Sequence, residues 1–334
     1  MPDHCRAVRR APLLPALAAV LIAACCGATS AQAQAFPSHP IKIIVGPGPD
    51  VFSRIIGEDL KQAWGQPVIV EPRPGAGGKI AANDVLSAPP DGYTMLFATP
   101  TYTLNTAMGL APYDLMKDFT PVAMAGLISY ALVVNPSVPA KSVAELVAYA
   151  KQHPGKLNCA SAGIGTVPHI ACEYLNKIAG IEIVHVPYST VNAGMIATVS
   201  NVTQMFFGVA TTAKPQIESG ALRGLAVSTP QRSLLLPSLP TMIEAGYPSF
   251  NMPGWGGLIA RAGTPPDVVA KINAEVQRAV RRPDLQPRLL AAGLEPPPQY
   301  DPAQFGEFIG QDIARWKSYV AAIGIDKLTP GEQH

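Results

Sequence analysis

Short apolar runs alternate with runs of helical spacing from Ile41 onward, and Gly-bearing turns join them. Ile41 to Gly46 (IKIIVG) is apolar but for Lys42 and reads as a strand covered on both faces. The chain breaks at GPGPD, and then Phe52, Ile55, Ile56, Leu60 and Trp64 return at the spacing of one helix face. PVIVE (67–71), YTMLFA (93–98), FTPVAMAGL (119–127) and ALVVNP (131–136) read as further strands, with KIAANDVLSA (79–88) as a helix. A second series opens at Ser142, which with Glu145 makes a capping box ahead of VAELVAYAKQ. KLNCAS (156–161), IEIVHV (181–186), QMFFGV (204–209) and LRGLAVS (222–228) continue the alternation. Thr264, Pro265 and Asp267 start a helix with Val268, Val269, Ile272, Val276 and Val280 inward. Asp301, Pro302 and Gln304 start the last one, with Phe305, Ile309, Ile313, Trp316 and Val320 inward. Such alternation specifies an α/β fold of parallel-rich open sheets with helices on both faces. Sheets of that kind bind ligands at the carboxyl ends of their strands.

A strand, glycine loop and helix recur once in each half of the chain, at VGPGPD and at SAGIGTVPHI (161–170). The 334 residues fit one large or two medium domains. Residues 1–33 read as an export signal: Arg6, Arg9 and Arg10, then APLLPALAAVLIAACCGA, then the small-residue cleavage site AQA at 31–33. The rival reading is a lipoprotein anchored at Cys25, since IAAC (22–25) has the form of a lipobox. Three of 25 basic and one of 23 acidic residues belong to the signal, so the exported chain carries 22 of each and is formally neutral. Basic residues cluster nowhere else, which argues against a nucleic-acid partner. Cys159 and Cys172 remain after cleavage, either paired in an oxidising compartment or separately buried.

SAGIGTVPHI is not a nucleotide loop. Pro168 stands where G-x-G-x-x-G needs its third glycine, the following strand ends in His185 and Val186 rather than an acid, and no Lys-Ser/Thr follows for a P-loop. Gly163 and Gly165 nevertheless permit close backbone approach, Thr166 can cap or donate, and Pro168 suits a first helical turn. The loop is therefore either an anion grip at a helix start or a tight strand–helix turn. Thr99, Thr101, Tyr102, Tyr188 and Ser189 put hydroxyls at other strand ends, as a small-molecule site requires. No G-x-S-x-G, H-E-x-x-H or metal-spaced Cys/His motif occurs, so no catalytic residue, cofactor or metal is expected. His169 and His185 fall near strand ends, as structural residues or as a base or ligand pair.

The ordered set FPSHPIKIIVGPGPD, QPVIVEPRPGAGGKIAANDV, PPDGYTMLFATP, LVVNPSVPAKSVAELVAYAKQHPGKLNCASAGIGTVPH, VHVPY, LRGLAVSTPQRSLLLPSLPTMIEAGYP and AGTPPDVVAKIN resembles the extracytoplasmic solute receptors of tripartite tricarboxylate transporters, the Bug family. The resemblance covers about Phe36 to Leu328. It implies a periplasmic-binding-protein type II-like fold: two α/β lobes with crossing hinge strands, residues 36–133 plus 254–334 against 134–253. It also implies a monomeric periplasmic receptor, not an enzyme. Such a receptor holds a small organic carboxylate between its lobes and presents it to membrane permease subunits. The candidate ligand-binding residues are Gly46, Gly48 and Asp50 of the first loop, Thr99 and Thr101, Ser161, Ala162, Gly163, Gly165 and Thr166 of the second loop, Tyr188 and Phe207.

The chain departs from the family pattern in three places. The first loop is short and carries Pro47 and Pro49, which remove two N–H donors. Val167 and Pro168 replace two serines, and Phe207 stands where the family often has a carboxylate. Apolar groups at Val167 and Phe207 favour a carboxylate with an apolar body over an amino acid or citrate. Competing readings are a partner of a sensor ectodomain, an exported hydrolase or isomerase using His169 or His185, and a receptor that has lost its ligand.

Overall fold

The computed structural model of the chain describes residues 36–46 and 50–324. The expected export signal, Cys25 and Gly48 lie outside the described residues. One sheet contains β1 (Ile41–Val45), β2 (Val68–Pro72), β3 (Thr94–Ala98), β4 (Phe119–Ile128) and β10 (Gly254–Arg261), in the order β2-β1-β3-β10-β4. The other contains β5 (Tyr130–Val134), β6 (Asn158–Ser161), β7 (Val184–Pro187), β8 (Met205–Val209) and β9 (Arg223–Val227), in the order β7-β6-β8-β5-β9. β1 pairs in parallel with β2 and β3, and β6 with β7 and β8. Each sheet also holds an antiparallel strand beside its parallel ones: β10 between β3 and β4, and β5 between β8 and β9.

Those two antiparallel strands follow the crossings between sheets. β4 ends at Ile128 and β5 starts at Tyr130, so the chain changes sheet at Ser129. The expected lobe boundary at 133/134 instead cuts through β5, whose apolar run gave no sign of where the crossing lay. The return crossing is tied beside the first: Ser228 and Met252 exchange backbone and hydroxyl bonds, and Gly254 pairs with Ile128. Glu295 spans the same place. Its backbone bridges Leu127, and its buried carboxylate accepts from Ser129 Oγ (2.6 Å), Ser233 Oγ (2.6 Å) and the Leu234 amide (2.9 Å).

Helices cover both sheets. α1 (Val51–Trp64) buries Phe52, Ile55, Ile56 and Leu60, as its spacing predicts, and stops at Gly65, whose φ of 66° only glycine adopts freely. α2 (Lys79–Ser87), α3 (Pro100–Ala107), α8 (Pro266–Ala279) and α9 (Gln286–Ala292) complete the first half. α4 (Val143–Gln152), α5 (Val167–Ala179), α6 (Val191–Val199) and α7 (Ala210–Glu218) cover the second sheet. The Ser142 box is half formed: Ser142 accepts from the Glu145 amide, but Glu145 reaches back to the Lys141 amide instead of that of Ser142. Asp301 and Gln304 make both reciprocal bonds at the start of α10 (Pro302–Ile323).

α10 does not stay in the first half. Phe305, Ile309 and Ile313 join the core under β10, whereas Trp316, Tyr319 and Val320 pack with Tyr174, Leu175 and Phe250 of the second. Asp312, fully buried, sits at the change-over and accepts from Thr103 Oγ1 (2.6 Å), Trp255 Nε1 (2.9 Å) and Trp316 Nε1 (3.1 Å), with Arg315 as its ion pair.

Cys159 on β6 and Cys172 on α5 form a disulfide, their Cα atoms 6.4 Å apart. The bridge flanks the 162–166 loop and answers the question that composition left open. Closing a loop of this length removes denatured-state entropy worth about 3 kcal/mol. The double variant Cys159→Ala, Cys172→Ala should therefore lose about 3 kcal/mol in urea unfolding. An unchanged midpoint against the oxidised wild type would show that the bridge adds no stability.

Candidate functional site

A cavity of about 610 Å³ opens between the carboxyl ends of the two sheets. Its wall is built mainly from helix starts. Phe52 comes from the start of α1, Thr99, Pro100 and Thr101 from that of α3, and Thr166, Val167 and Pro168 from that of α5. Thr190, Val191 and Asn192 come from the start of α6, and Val209, Thr211 and Thr212 from that of α7. The first-turn amides of a helix have no intrahelical partner, and the helix dipole makes that end positive. Five such ends surround one cavity and suit an anion, although Pro100 and Pro168 bring no N–H and the Ala193 and Ala210 amides are taken by Thr190 Oγ1 and the Ser129 carbonyl. None of the residues lining it is ionisable at neutral pH. Apolar side chains of Phe52, Leu104, Ile128, Val167, Val191 and Val209 form the rest of the wall.

Thr99 has a particular place here. Its Oγ1 is buried and has no hydrogen-bond partner among the described residues, since the threonine does not cap α3 with its side chain. A buried hydroxyl without a partner costs stability and is a donor awaiting an acceptor.

Of the residues expected from sequence, Thr99, Thr101, Ala162, Gly165, Thr166 and Ser189 line the cavity. Gly46 does not. It lets β1 pass the Tyr102 hydroxyl, with which any side chain at 46 would collide. Asp50 also lies off the cavity wall, and its carboxylate takes bonds from Arg54 Nε (2.9 Å) and Nη2 (2.7 Å), one turn along α1. Ser161 is fully buried beneath the loop, and Gly163 and Tyr188 pack against each other beside the wall. Phe207 is the clearest correction. It is fully buried and stacks on Phe250 at 5.4 Å, inside the second core. Both faces of β8 are covered, so parity along the strand did not reveal that Val209, at its end, is the residue that reaches the cavity. The starts of α6 and α7 were missed as well. The usable sign was a Ser/Thr pair one residue after a strand, Ser189-Thr190 after β7 and Thr211-Thr212 after β8.

The loop itself is held from inside. Gly163 (φ 112°) and Gly165 (φ 75°) occupy conformations that side chains disfavour. Their amides are already bonded, that of Gly163 to Ser161 Oγ (3.1 Å) and that of Gly165 to His169 Nδ1 (3.1 Å). Thr166 Oγ1 donates to the Gly163 carbonyl at 2.6 Å, so its proton is engaged as well. The grip expected from the glycine amides therefore falls to the first turn of α5 that follows them.

His169 and His185 meet as a tilted ring pair with centroids 4.2 Å apart, behind the loop and outside the cavity wall. Burial first, and then His185, pull His169 down to about 4; burial pulls His185 down to about 4. With Glu173 they form a group whose ligand atoms lie within 4.8 Å of one another. The donor set disfavours a metal in the arrangement seen. Because His169 Nδ1 accepts the Gly165 amide, its proton sits on Nε2, the atom that would have to give a lone pair.

A second hollow of about 600 Å³ lies beside α8 and Tyr300 and is more open to solvent. Three of its polar side chains are already engaged: Asn273 with the Val122 and Tyr300 carbonyls, Gln277 with that of Met124, and Arg278 with Asp59 and Glu275. The inter-sheet cavity is the better candidate, because the Thr99 hydroxyl in its wall has no partner among the described residues.

A cleft between two α/β lobes, joined by crossing strands and lined by helix starts, defines a periplasmic-binding-protein fold. The chain belongs to the tripartite tricarboxylate transporter family receptors, whose description matches residues 52–325. It is 34% identical over 286 residues to the UPF0065 protein in the tcbD-tcbE intergenic region of Pseudomonas sp. (strain P51), covering 84% of this chain and 85% of that one. It is 30% identical to Protein BugT of Bordetella pertussis, covering 93% and 97%. Among solved structures, R. palustris Rpa4515 with adipate superposes with a TM-score of 0.78 at 29% identity, covering 86% and 98%. MatC from Rhodopseudomonas palustris with bound malate gives 0.74 at 32%, covering 85% and 100%.

Proposed function

We propose that this chain is a periplasmic receptor that closes its two lobes on a small organic carboxylate with an apolar body and delivers it to membrane permease subunits. It acts as a monomer and does no chemistry on its ligand. The observation that carries this reading is the cavity wall: helix starts and an unpartnered Thr99 hydroxyl for the carboxylate, apolar side chains for the body, and no charged side chain for a second ionic group. The adipate and malate held by the two R. palustris proteins support the carboxylate. Pro47 and Pro49 bring no N–H, but the α3 and α5 starts line the cavity. Neither histidine reaches the cavity wall, which speaks against turnover.

Calorimetry with adipate, hexanoate, benzoate, citrate and glutamate tests it. The mono- and dicarboxylates with apolar bodies should bind, and glutamate should not, because an ammonium would be buried without a partner. Tight glutamate binding with the others inert would overturn the reading. Thr99→Val separates binding from folding. It should stabilise the free protein by on the order of 1 kcal/mol, by removing a buried unpaired hydroxyl, and weaken the tightest acid at least tenfold. Loss of stability together with unchanged affinity would place the hydroxyl in the fold and not in the site.

A further inference from the structure

The pair His169 and His185 is not needed for the ligand contacts just described, yet one ring bonds the loop that forms one wall of the cavity and the other bonds Ser161 beneath it. His169, on the first turn of α5, accepts the Gly165 amide on Nδ1 at 3.1 Å. His185, on β7, has Nε2 2.6 Å from Ser161 Oγ, and that hydroxyl accepts the Gly163 amide at 3.1 Å. Both imidazoles thus end on a glycine amide of one loop, one directly and one through a serine. The rings also lie against each other, their planes 38° apart. The disulfide clamps β6 to α5 but makes no bond to the loop between them.

We propose that His169 and His185 are positioning residues of the ligand cavity: neutral imidazoles that turn the Gly163 and Gly165 amides inward, and so aim the first-turn amides of α5 at the ligand. The idea rests on the carboxylate reading for its purpose, but its geometry stands without it. Two glycines at positive φ have many conformations open to them, and a loop so built needs an external hold to present one. His169, the acceptor of the Gly165 amide, supplies that hold only with its Nδ1 lone pair free. A proton on His169 Nδ1 would set N–H against N–H at Gly165. Glu173, one turn further along α5, is the carboxylate that faces the rings; Ser161 faces them from β6.

Two arms test this. In the first, amide exchange and amide NMR shifts of Gly163 and Gly165 are read without any ligand. His169→Ala should speed exchange at Gly165 at least tenfold, and His169→Asn, whose side-chain oxygen falls near Nδ1, should restore it. His185→Ala and His185→Gln should behave likewise at Gly163. In wild type, both amide resonances should move in acid with the same midpoint as the imidazole resonances; this holds even if the alanine variants do not fold. Glycine amides that stay fixed through the imidazole midpoint, or that are unmoved in His169→Ala, would overturn the proposal. In the second arm, adipate affinity should fall at least tenfold in His169→Ala and return to within about twofold in His169→Asn. Equal loss in both variants would reduce His169 to a packing residue and overturn the proposal. If adipate does not bind wild type, that result counts against the carboxylate reading for adipate, and the amide arm alone decides the role of the histidines.

Discussion

Asp312→Ala should destabilise the protein by about 3–5 kcal/mol, the cost of leaving buried partners of a charge uncompensated. Asp312 has no exposure, and its two oxygens serve Thr103, Trp255, Trp316 and Arg315. Alanine leaves two indole N–H groups and a guanidinium without their acceptor, and Arg315 Nε has no partner to begin with among the described residues. Asp312→Asn keeps one acceptor oxygen but not the charge, so it should fall between alanine and wild type. Urea unfolding followed by tryptophan fluorescence is the natural measurement, because Trp255 and Trp316 both touch the site. A loss below about 1 kcal/mol for alanine would mean that water or a shifted side chain takes over the carboxylate's role. The cost should also appear in ligand affinity, since Thr103 sits on α3, whose first residues wall the cavity.

Stability should fall in acid earlier than carboxylate protonation alone would bring about. His169 and His185 have folded-state values near 4 against 6.5 when unfolded. Between those values the unfolded chain binds more protons than the folded one, so stability rises with pH in that window. Their contribution is complete above about pH 6.5, is withdrawn as pH falls towards 4, and changes no further below. Each imidazole withdraws up to about 1.4 kcal/mol per pH unit while it stays neutral in the fold. Glu173 works the other way. Burial holds it above its ordinary value, so it returns some stability as pH falls, but its shift is the smaller one. Urea midpoints at pH 7, 6, 5 and 4.5 should therefore decline, and the decline should shrink in the double variant His169→Asn, His185→Gln. A flat profile from pH 7 to 5 in wild type would show that the pair is charged or exposed in the fold.

Most elements were legible because their signals are local. α1, α8 and α10 show one apolar face at helical spacing, and the Asp301–Gln304 box is a matter of three residues. What escaped had a physical cause. β10 is buried along nearly its whole length and carries three glycines, so no alternation marks it as a strand. α6 is apolar on all sides and shows no face, and α7 has Pro215 inside it. The loop at Gly163 and Gly165 was found, but its donors were assigned to a ligand when they belong to Ser161 and His169.

The sequence by itself determined the α/β alternation, most helix and strand positions, and the resemblance to one receptor family, because spacing, caps and ordered motifs act over a few residues at a time. Only the tertiary structure decided which ends meet. The order of the two sheets put the starts of α1, α3, α5, α6 and α7 around one cavity, sent Phe207 to the core and Val209 to the wall, and carried α10 across both halves. It also joined Cys159 to Cys172 and set His185 behind Ser161, residues 24 apart in the chain. Strand order is a property of long-range pairing, and the residues along a strand covered on both faces carry no mark of which neighbour they will meet.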